Sequence, residues 1–206
     1  MKVLLINGSP HSEGCTFTAL SEVASALEAN GVETEIYHIG TEAVHGCTAC
    51  RSCKKTGRCV RDDDACNLLI GKIKEADGLV VGSPVYFSGP NGALCALLDR
   101  VFYSSMEHFA HKPAACVVSC RRGGASAAFD RLNKYFTISQ MPVVSSQYWN
   151  SVHGFKAEDV LRDLEGLQVM RVLGNNMAWM LKNAGAGGPP PEREEMRMYT
   201  SFPDGK

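Results

Sequence analysis

The sequence predicts one α/β domain in which a parallel β-sheet is covered by helices on both faces. Five short segments with the apolar character of buried strands alternate with five segments whose apolar residues recur at helical spacing. Such alternation indicates a parallel sheet, because each parallel strand is joined to the next by a crossover that is usually a helix. The 206 residues also suit a single domain with a substantial core.

The first two predicted strands lie near the N-terminus, on either side of a helix. The segment KVLLIN, 2–7, is a nearly continuous apolar run that stops at Gly8, as in a strand buried on both faces. The segment VETEIYHI, 32–39, alternates polar and apolar residues and predicts the second strand. The helix between them is predicted from Phe17, Leu20, Val23, Ala24 and Leu27, and it ends at Gly31.

Three further strands and their helices follow the same plan. Strands are predicted at 78–85, 113–120 and 141–149, and a long helical pattern runs from 157 to 183. Three shorter helices are predicted from Leu69, Ile70 and Ile73; from Leu94, Leu97, Leu98, Val101 and Phe102; and from Ala128, Phe129, Leu132 and Phe136. The domain therefore spans 1–184, and the Gly/Pro-rich and then charged segment 185–206 is predicted to be a C-terminal tail.

Composition and charge exclude several classes of function. The net charge is −1 and 45% of the residues are hydrophobic, so no basic excess indicates nucleic acid or a membrane surface as a partner. The apolar run at the start is short and ends in a turn, so we expect no secretory signal and a cytoplasmic protein. The nine cysteines then favour metal or redox chemistry over a disulfide framework.

Three loops at the carboxyl ends of strands form the candidate site, because ligands of doubly wound sheets lie there. The first loop, 8–18, joins a buried strand to a helix N-terminus and carries hydroxyl groups, a glycine and a histidine. Backbone N–H groups and the helix dipole favour a phosphate at such a place, although Ser and Thr also cap ordinary helices. The loop has neither the Walker pattern nor the Gly-x-Gly-x-x-Gly pattern.

The other two loops supply an aromatic wall and a backbone that can approach a ligand closely. Val85, Tyr86 and Phe87 follow the third strand, where exposed aromatic groups suit a planar ring or, alternatively, cover a helix or a subunit interface. The loop 119–126 carries two arginines and two glycines, which a plain turn would also show. The combination of a phosphate site, an aromatic wall and a close backbone predicts binding of flavin mononucleotide (FMN).

The motifs LLINGSP at 4–10 and GLVVGSPVYFSG at 78–89, with Thr16 and the order of elements, resemble the flavodoxin-like NADPH-dependent FMN reductase family. The resemblance implies a three-layer sandwich, a five-stranded parallel sheet of order 2-1-3-4-5, and a homodimer or tetramer. It also implies FMN contacts, which are Ser9, His11, Ser12, Gly14, Cys15 and Thr16 at the phosphate, Pro84, Val85, Tyr86, Phe87 and Ser88 along the ring, and Arg122, Gly123 and Gly124 near its other edge.

Two residues of the first loop depart from the pattern of this family. Many relatives have arginine where this chain has His11, so we expect a weaker or pH-dependent contact with the phosphate. Many also have a small polar residue in place of Cys15, and we expect Cys15 to contribute its backbone N–H rather than a reactive thiol.

The segment 45–61, which we call the cysteine loop, is predicted as an insertion after the second strand. Its spacing is Cys47-x2-Cys50-x2-Cys53-x5-Cys59, so three thiols two residues apart and a fourth after a longer gap can converge on one [4Fe–4S] cluster. Zinc and metal-free thiols are the alternatives. The motif, its position and the acidic triplet after it resemble the iron–sulfur flavoprotein branch of the same family.

The function expected from the sequence is an FMN-dependent oxidoreductase that passes electrons between FMN and a [4Fe–4S] cluster. NAD(P)H or a ferredoxin-like protein is the expected donor, a small molecule is the expected acceptor, and no residue is identified as a catalytic acid or base. Three roles stay open for the basic residues of the cysteine loop: they offset the charge of the thiolates, attract an acidic donor, or form an ordinary solvated surface. The alternatives are a cluster-free NAD(P)H-dependent FMN or quinone reductase, and a flavodoxin-like carrier without a substrate.

Overall fold

A computed structural model describes residues 1–184, 186 and 188–191, so most of the predicted tail, 185–206, lies outside the described residues. The parallel α/β sheet is confirmed. It contains β1 (Lys2–Asn7), β2 (Glu33–His38), β3 (Gly78–Tyr86), β4 (Gly89–Pro90), β5 (Ala114–Cys120) and β6 (Ser151–His153). Five strands are parallel in the order β2-β1-β3-β5-β6, and β4 pairs antiparallel with β3. The predicted order of five strands therefore holds only when the two-residue β4 is left out.

The fifth predicted strand, 141–149, is wrong in position. Only an isolated bridge joins Val143 to Ala114, and the strand itself is β6, at 151–153. Between them the chain leaves the sheet edge, and the side-chain amide of Asn150 donates to the Cys116 carbonyl of β5 over 3.0 Å. A side chain thus uses an acceptor that a paired strand would occupy, which alternation of residue types does not reveal.

The described residues contain seven helices, with a short 3-10 turn after the fourth. They are α1 (Cys15–Ala29), α2 (Cys53–Thr56), α3 (Cys66–Glu75), α4 (Gly92–Ser105), α5 (Ala125–Ile138), α6 (Ala157–Val160) and α7 (Leu164–Asn183). The predicted helix 157–183 is divided because Asp163 caps a new start, accepting from the Gly166 N–H over 3.0 Å.

Two apolar layers enclose the sheet, as its periodicity requires. Val3 and Leu5 of β1 pack with α1 and α7, whereas Leu4 and Ile6 pack with α3, α4 and α5. Helix α1 lies especially close to β3, since a Cβ on Gly82 would be 2.8 Å from both Thr16 Cγ2 and Leu20 Cδ1. This close approach brings the first turn of α1 to the carboxyl ends of the central strands.

Strand β2 forms one edge of the parallel sheet, and ion pairs join it to β1 and α3. Glu35 binds the ammonium groups of Lys2, at 2.7 Å, and Lys72, at 2.5 Å. Hydrogen bonds from Lys2 and then Lys72 hold the pKa of the Glu35 carboxyl below its usual value.

Candidate functional site

An open cleft of about 790 Å³ lies at the carboxyl ends of β1, β3, β5 and β6. Its size is in the range of pockets that hold cofactors. Its position is where ligands of doubly wound sheets bind. Nine of the predicted FMN-contact residues line it, namely Ser9, His11, Ser12, Gly14, Cys15, Thr16, Pro84, Val85 and Tyr86.

Asn7, the last residue of β1, holds the loop between β1 and α1 in place through hydrogen bonds of its side chain. The Asn7 side chain is fully buried, accepts from the Ser9 N–H over 3.1 Å, and donates to the Ser12 and His11 carbonyls over 3.1 and 3.4 Å. The Ser9 hydroxyl in turn accepts from the His11 N–H over 3.1 Å. The loop therefore has a defined shape without any ligand, which lowers the entropy cost of binding one.

Neighbouring strands add further hydrogen bonds to the same loop. His38, at the end of β2, donates through Nε2 to the Ser9 carbonyl over 2.8 Å. Asn91, just before α4, donates to the Gly8 carbonyl over 2.9 Å. Since these contacts occupy carbonyl oxygens, the acceptors of the loop are turned into the protein and its anion-binding character is preserved.

The N-terminus of α1 is open to the cleft. Gly14 precedes the helix, no side chain caps its first turn, and that turn has no acidic residue. The Thr16 hydroxyl is buried against Ser119 Oγ at 2.9 Å, so Thr16 presents its backbone rather than its side chain to the cleft. Uncapped N–H groups at the positive end of a 15-residue helix are suited to a phosphate.

The second wall of the cleft is the end of β3. Pro84, Val85 and Tyr86 line the cleft, and β4 folds back on them through a tight turn. Phe87 and Ser88 occupy that turn with φ of 50° and 60°, as mirror-image hairpin turns require. Both are exposed and neither lines the cleft, unlike the three residues before them.

The third predicted loop reaches the cleft with different residues from those expected. Cys120 and Arg121 line it, whereas Arg122, Gly123 and Gly124 do not. Gly124 has a φ of +85°, and a Cβ there would be 2.8 Å from Ser88 Oγ. The glycine therefore lets this loop pack closely against the β3–β4 turn.

One wall of the cleft was missed by sequence reasoning. Residues 154–158, which form the loop after β6 and the start of α6, line the cleft together with the loop that follows β1, and Phe155 is 82% exposed. Because the fifth strand was predicted about ten residues too early along the chain, the loop after it was not recognised as a strand end. The available signal was an aromatic residue, Phe155, directly followed by a basic one, Lys156.

Cys15 lies at the junction of these walls. Its thiol is 3.7 Å from the Gly154 carbonyl oxygen, and burial raises the pKa of the thiol. A protonated, half-buried thiol agrees with the expectation that Cys15 contributes its backbone N–H.

The four predicted metal ligands line one small cavity of about 20 Å³ beside α4. Cys47, Cys50, Cys53 and Cys59 all contribute to it, although they come from 13 consecutive residues of a loop with little regular structure. Within the described residues, no three Cys, His, Asp or Glu side chains are drawn together tightly enough to hold a single metal ion. The thiols thus share a cavity without closing on one point.

Side chains outside the cysteine loop fix its backbone. Asn67 of α3 accepts from the Cys59 N–H over 2.9 Å and donates to the Cys59 carbonyl over 3.0 Å. Ser105 of α4 donates to the Gly57 carbonyl over 3.2 Å. Arg100 of α4, which sequence reasoning also missed, donates through Nε to Cys59 Sγ over 3.3 Å.

Comparison with known proteins assigns the chain to a family. A sequence model of NADPH-dependent FMN reductases matches residues 1–156. The chain belongs to this family. An iron-sulfur flavoprotein of Methanocaldococcus jannaschii is 33% identical over 190 residues, which cover 88% of this chain and 98% of that protein. The family predicted from the sequence is confirmed, and FMN and flavin oxidoreductase chemistry follow from it.

Two further comparisons give the range of the family and its fold. An NADPH azoreductase of Bacillus sp. is 31% identical over 133 residues, 65% of this chain and 65% of that protein. A flavodoxin from the domain Archaea superposes with a TM-score of 0.61 at 15% identity, covering 88% of this chain and 99% of that one. The fold is therefore flavodoxin-like. No helix in the described part of the chain is long and apolar enough to cross a membrane.

The thiols of the cysteine loop have different environments. Hydrogen bonds from the backbone and then the side chain of Ser52 lower the pKa of Cys50, whereas burial raises the pKa of Cys53. Cys66, the first residue of α3, is fully buried, and burial raises the pKa of its thiol to about 12. Cys66 does not line the cavity and belongs to the core.

The basic residues of the cysteine loop are only partly neutralised. Arg58 pairs with Asp62 at 2.8 Å and Arg61 pairs with Asp63 at 3.3 Å. Lys54 lies over the Tyr103 ring, 4.6 Å from its centroid. Arg51 and Lys55 are exposed and have no acidic partner among the described residues, so the rim of the cavity carries positive charge.

Proposed function

We propose that the chain is an oxidoreductase that passes electrons between FMN in the cleft and a [4Fe–4S] cluster held by Cys47, Cys50, Cys53 and Cys59. The observation that carries this proposal is that these four thiols, and no other cysteine, line one cavity in the described structure. Four thiolates are the ligand set of such a cluster. The same chain folds an anion-binding loop at the mouth of a flavodoxin-like sheet.

The residues of the cleft fit FMN. The loop from Ser9 to Gly14 and the first amide groups of α1 would bind the phosphate, because no side chain caps the first turn of α1. Pro84, Val85 and Tyr86 would lie along the ring. His11 and Arg121 line the cleft and would add positive charge toward an anionic ligand.

The residues of the cysteine loop fit an iron–sulfur cluster. The cavity is lined by thiols and by the guanidinium of Arg100, so four negative ligands would have a buried positive group beside them. When bound, FMN supplies exchange between two-electron and one-electron chemistry, and a cluster supplies a one-electron site. The chain itself would bind both groups and orient the ring.

Partners are proposed from the surfaces beside the two sites. NAD(P)H or a small acceptor would reach the flavin between Tyr86 and Phe155, both exposed at the cleft. The exposed Arg51, which lines the cysteine cavity, and the exposed Lys55 of the same loop suit an acidic, ferredoxin-like donor. The exposed side chains of Phe87 and Trp179 support assembly as a homodimer or tetramer. The nine cysteines form no disulfide in the described residues, which suits the reducing cytoplasm.

Anaerobic purification with quantitation of flavin, iron and acid-labile sulfide tests the proposal. We expect about one FMN and about four irons per chain, as one [4Fe–4S] cluster requires. The variant C50S is expected to lose iron and keep flavin. The matched variant C95S, at a half-buried cysteine of α4 outside the cavity, is expected to keep both. Flavin without iron in the wild type contradicts the cluster.

A cluster-free NAD(P)H-dependent reductase is the second candidate. The observations that favour it are that the described thiols do not close on one point and that a relative is an NADPH azoreductase. Stopped-flow reduction of the bound flavin by NADH and by NADPH distinguishes the candidates from a pure carrier. Rapid reduction without iron supports the cluster-free reductase, and no reduction by either nucleotide supports a carrier.

A further inference from the structure

Arg100 is a charged residue in a position that the helix otherwise uses for the core. It lies on α4 between Leu98 and Val101, both fully buried, and is itself only 2% exposed. A buried guanidinium carries a large desolvation cost unless its donors are satisfied, so its contacts identify its role.

All four hydrogen bonds of the Arg100 side chain go to the cysteine loop and the segment that follows it. One nitrogen forms an ion pair with Asp64, which is also buried. The same nitrogen donates to the His45 carbonyl over 3.2 Å, and the other terminal nitrogen donates to the Arg61 carbonyl over 3.3 Å. His45 and Arg61 are the two ends of the cysteine loop, so one planar side chain closes it.

The fourth hydrogen bond of Arg100 goes to a sulfur atom. Its Nε lies 3.3 Å from Cys59 Sγ, a proposed ligand of the cluster. Hydrogen bonds to ligand sulfur and positive charge nearby stabilise the more negative, reduced state of a cluster. Arg58, by contrast, is an exposed arginine of the same loop that pairs with Asp62 at the surface.

We propose that Arg100 is a positioning residue that closes the cysteine loop in the protein without metal and raises the reduction potential of a cluster bound there. The first part rests on contacts within the described chain alone. The second part rests on the proposed function, because it needs a cluster on Cys59.

The variant R100K separates the two parts of the contact set. A lysine ammonium retains the charge opposite Asp64 but cannot reach both carbonyls and the sulfur at once. The matched control is R58K, which changes an exposed arginine of the same loop. If R100K does not fold, the double variant R100Q/D64N removes both buried charges together and takes its place in each measurement.

Hydrogen exchange of the apoprotein tests loop closure. In R100K we expect exchange of the segment 45–61 to be about tenfold faster than in the wild type, since the loop opens more often. R58K should match the wild type. Equal exchange in all three proteins overturns the positioning role, whether or not the wild type holds iron.

Redox titration of the reconstituted protein tests the effect on potential. We expect R100K to retain iron on the order of tenfold less tightly and to have a lower cluster midpoint potential than the wild type and R58K. An unchanged midpoint potential in R100K overturns the second part. A wild type that binds no iron contradicts the proposed function and removes the second part with it, while the exchange measurement still decides the first.

Discussion

The substitution N7A should separate the stability of the domain from its affinity for FMN. Asn7 ends β1, is fully buried, and makes all three of its side-chain hydrogen bonds to the backbone of the loop that follows. Alanine removes these bonds and leaves the buried Ser9 N–H without an acceptor. The loop should then sample shapes in which the amides beside α1 no longer converge.

The size of the effect follows from the three lost bonds. At a net ~1 kcal/mol for each, the free energy of unfolding should fall by ~3 kcal/mol. Part of this cost, ~1–2 kcal/mol, should reappear when FMN binds, because the ligand must reorder the loop. At ~1.4 kcal/mol for each factor of ten, the dissociation constant for FMN should rise about 5- to 30-fold.

Two measurements on the apoprotein test this prediction. Urea denaturation gives the free energy of unfolding, and quenching of FMN fluorescence gives the dissociation constant. The matched control is N30A, because Asn30 also uses its side chain, donating to Ala26 O and Asn175 Oδ1 over 2.8 Å, but lies at the far end of α1. N30A should lose some stability and bind FMN as the wild type does. If N7A is destabilised by ~3 kcal/mol and binds FMN as tightly as N30A, the loop is not preorganised by Asn7.

Three further predictions concern the cavity, the packing and the pH dependence. C59A should lose iron while C66A keeps it, because Cys59 lines the cavity and Cys66 does not. Equal iron content of the two variants in an anaerobic assay contradicts this prediction. By urea denaturation, G82A should lower the free energy of unfolding by ~1–3 kcal/mol, because its Cβ has no room. G71A, in open space within α3, should raise this free energy by ~0.5–1 kcal/mol, and changes of the same sign refute the packing argument. Because lysine contacts lower the folded-state pKa of Glu35 below 4.5, the stability that ionised Glu35 contributes should be complete above pH 4.5. It should be lost as the pH falls through the lowered pKa of the folded state. The difference in free energy of unfolding between the wild type and E35Q, measured by urea denaturation at several pH values, should therefore decrease on acidification. A difference that increases contradicts the prediction.

Local patterns were sufficient for most of the fold and for the phosphate side of the cleft. Continuous apolar runs predicted β1, β3 and β5, because strands buried on both faces need such runs. The Gly-Ser-Pro sequence after β1 and the one within β3 then identified two walls of the cleft. The spacing of four cysteines identified the second cavity, since neighbours in sequence can reach only nearby points.

The errors occur where contacts between distant segments decide the structure. Strand β6 was placed too early because residues 141–149 have strand-like composition, whereas the pairing partner along β5 is available only at 151–153. The cleft wall at 154–158 was missed for the same reason. Phe87 and Ser88, which are predicted along the ring, lie in a tight turn and do not line the cleft, and their contact with the ring stays a prediction.

The sequence by itself determined the α/β class, the parallel sheet, the family, the loop at α1 and the cysteine cluster, since periodicity and short motifs are local properties. Tertiary structure alone decided which loops meet and which core positions carry charge. Arg100 looks like an interruption of an apolar helix, and only the crossover from α3 to α4 brings it to Cys59, 41 residues earlier in the chain. A buried ion pair is tolerated only where folding provides every partner, and those partners cannot be read from spacing.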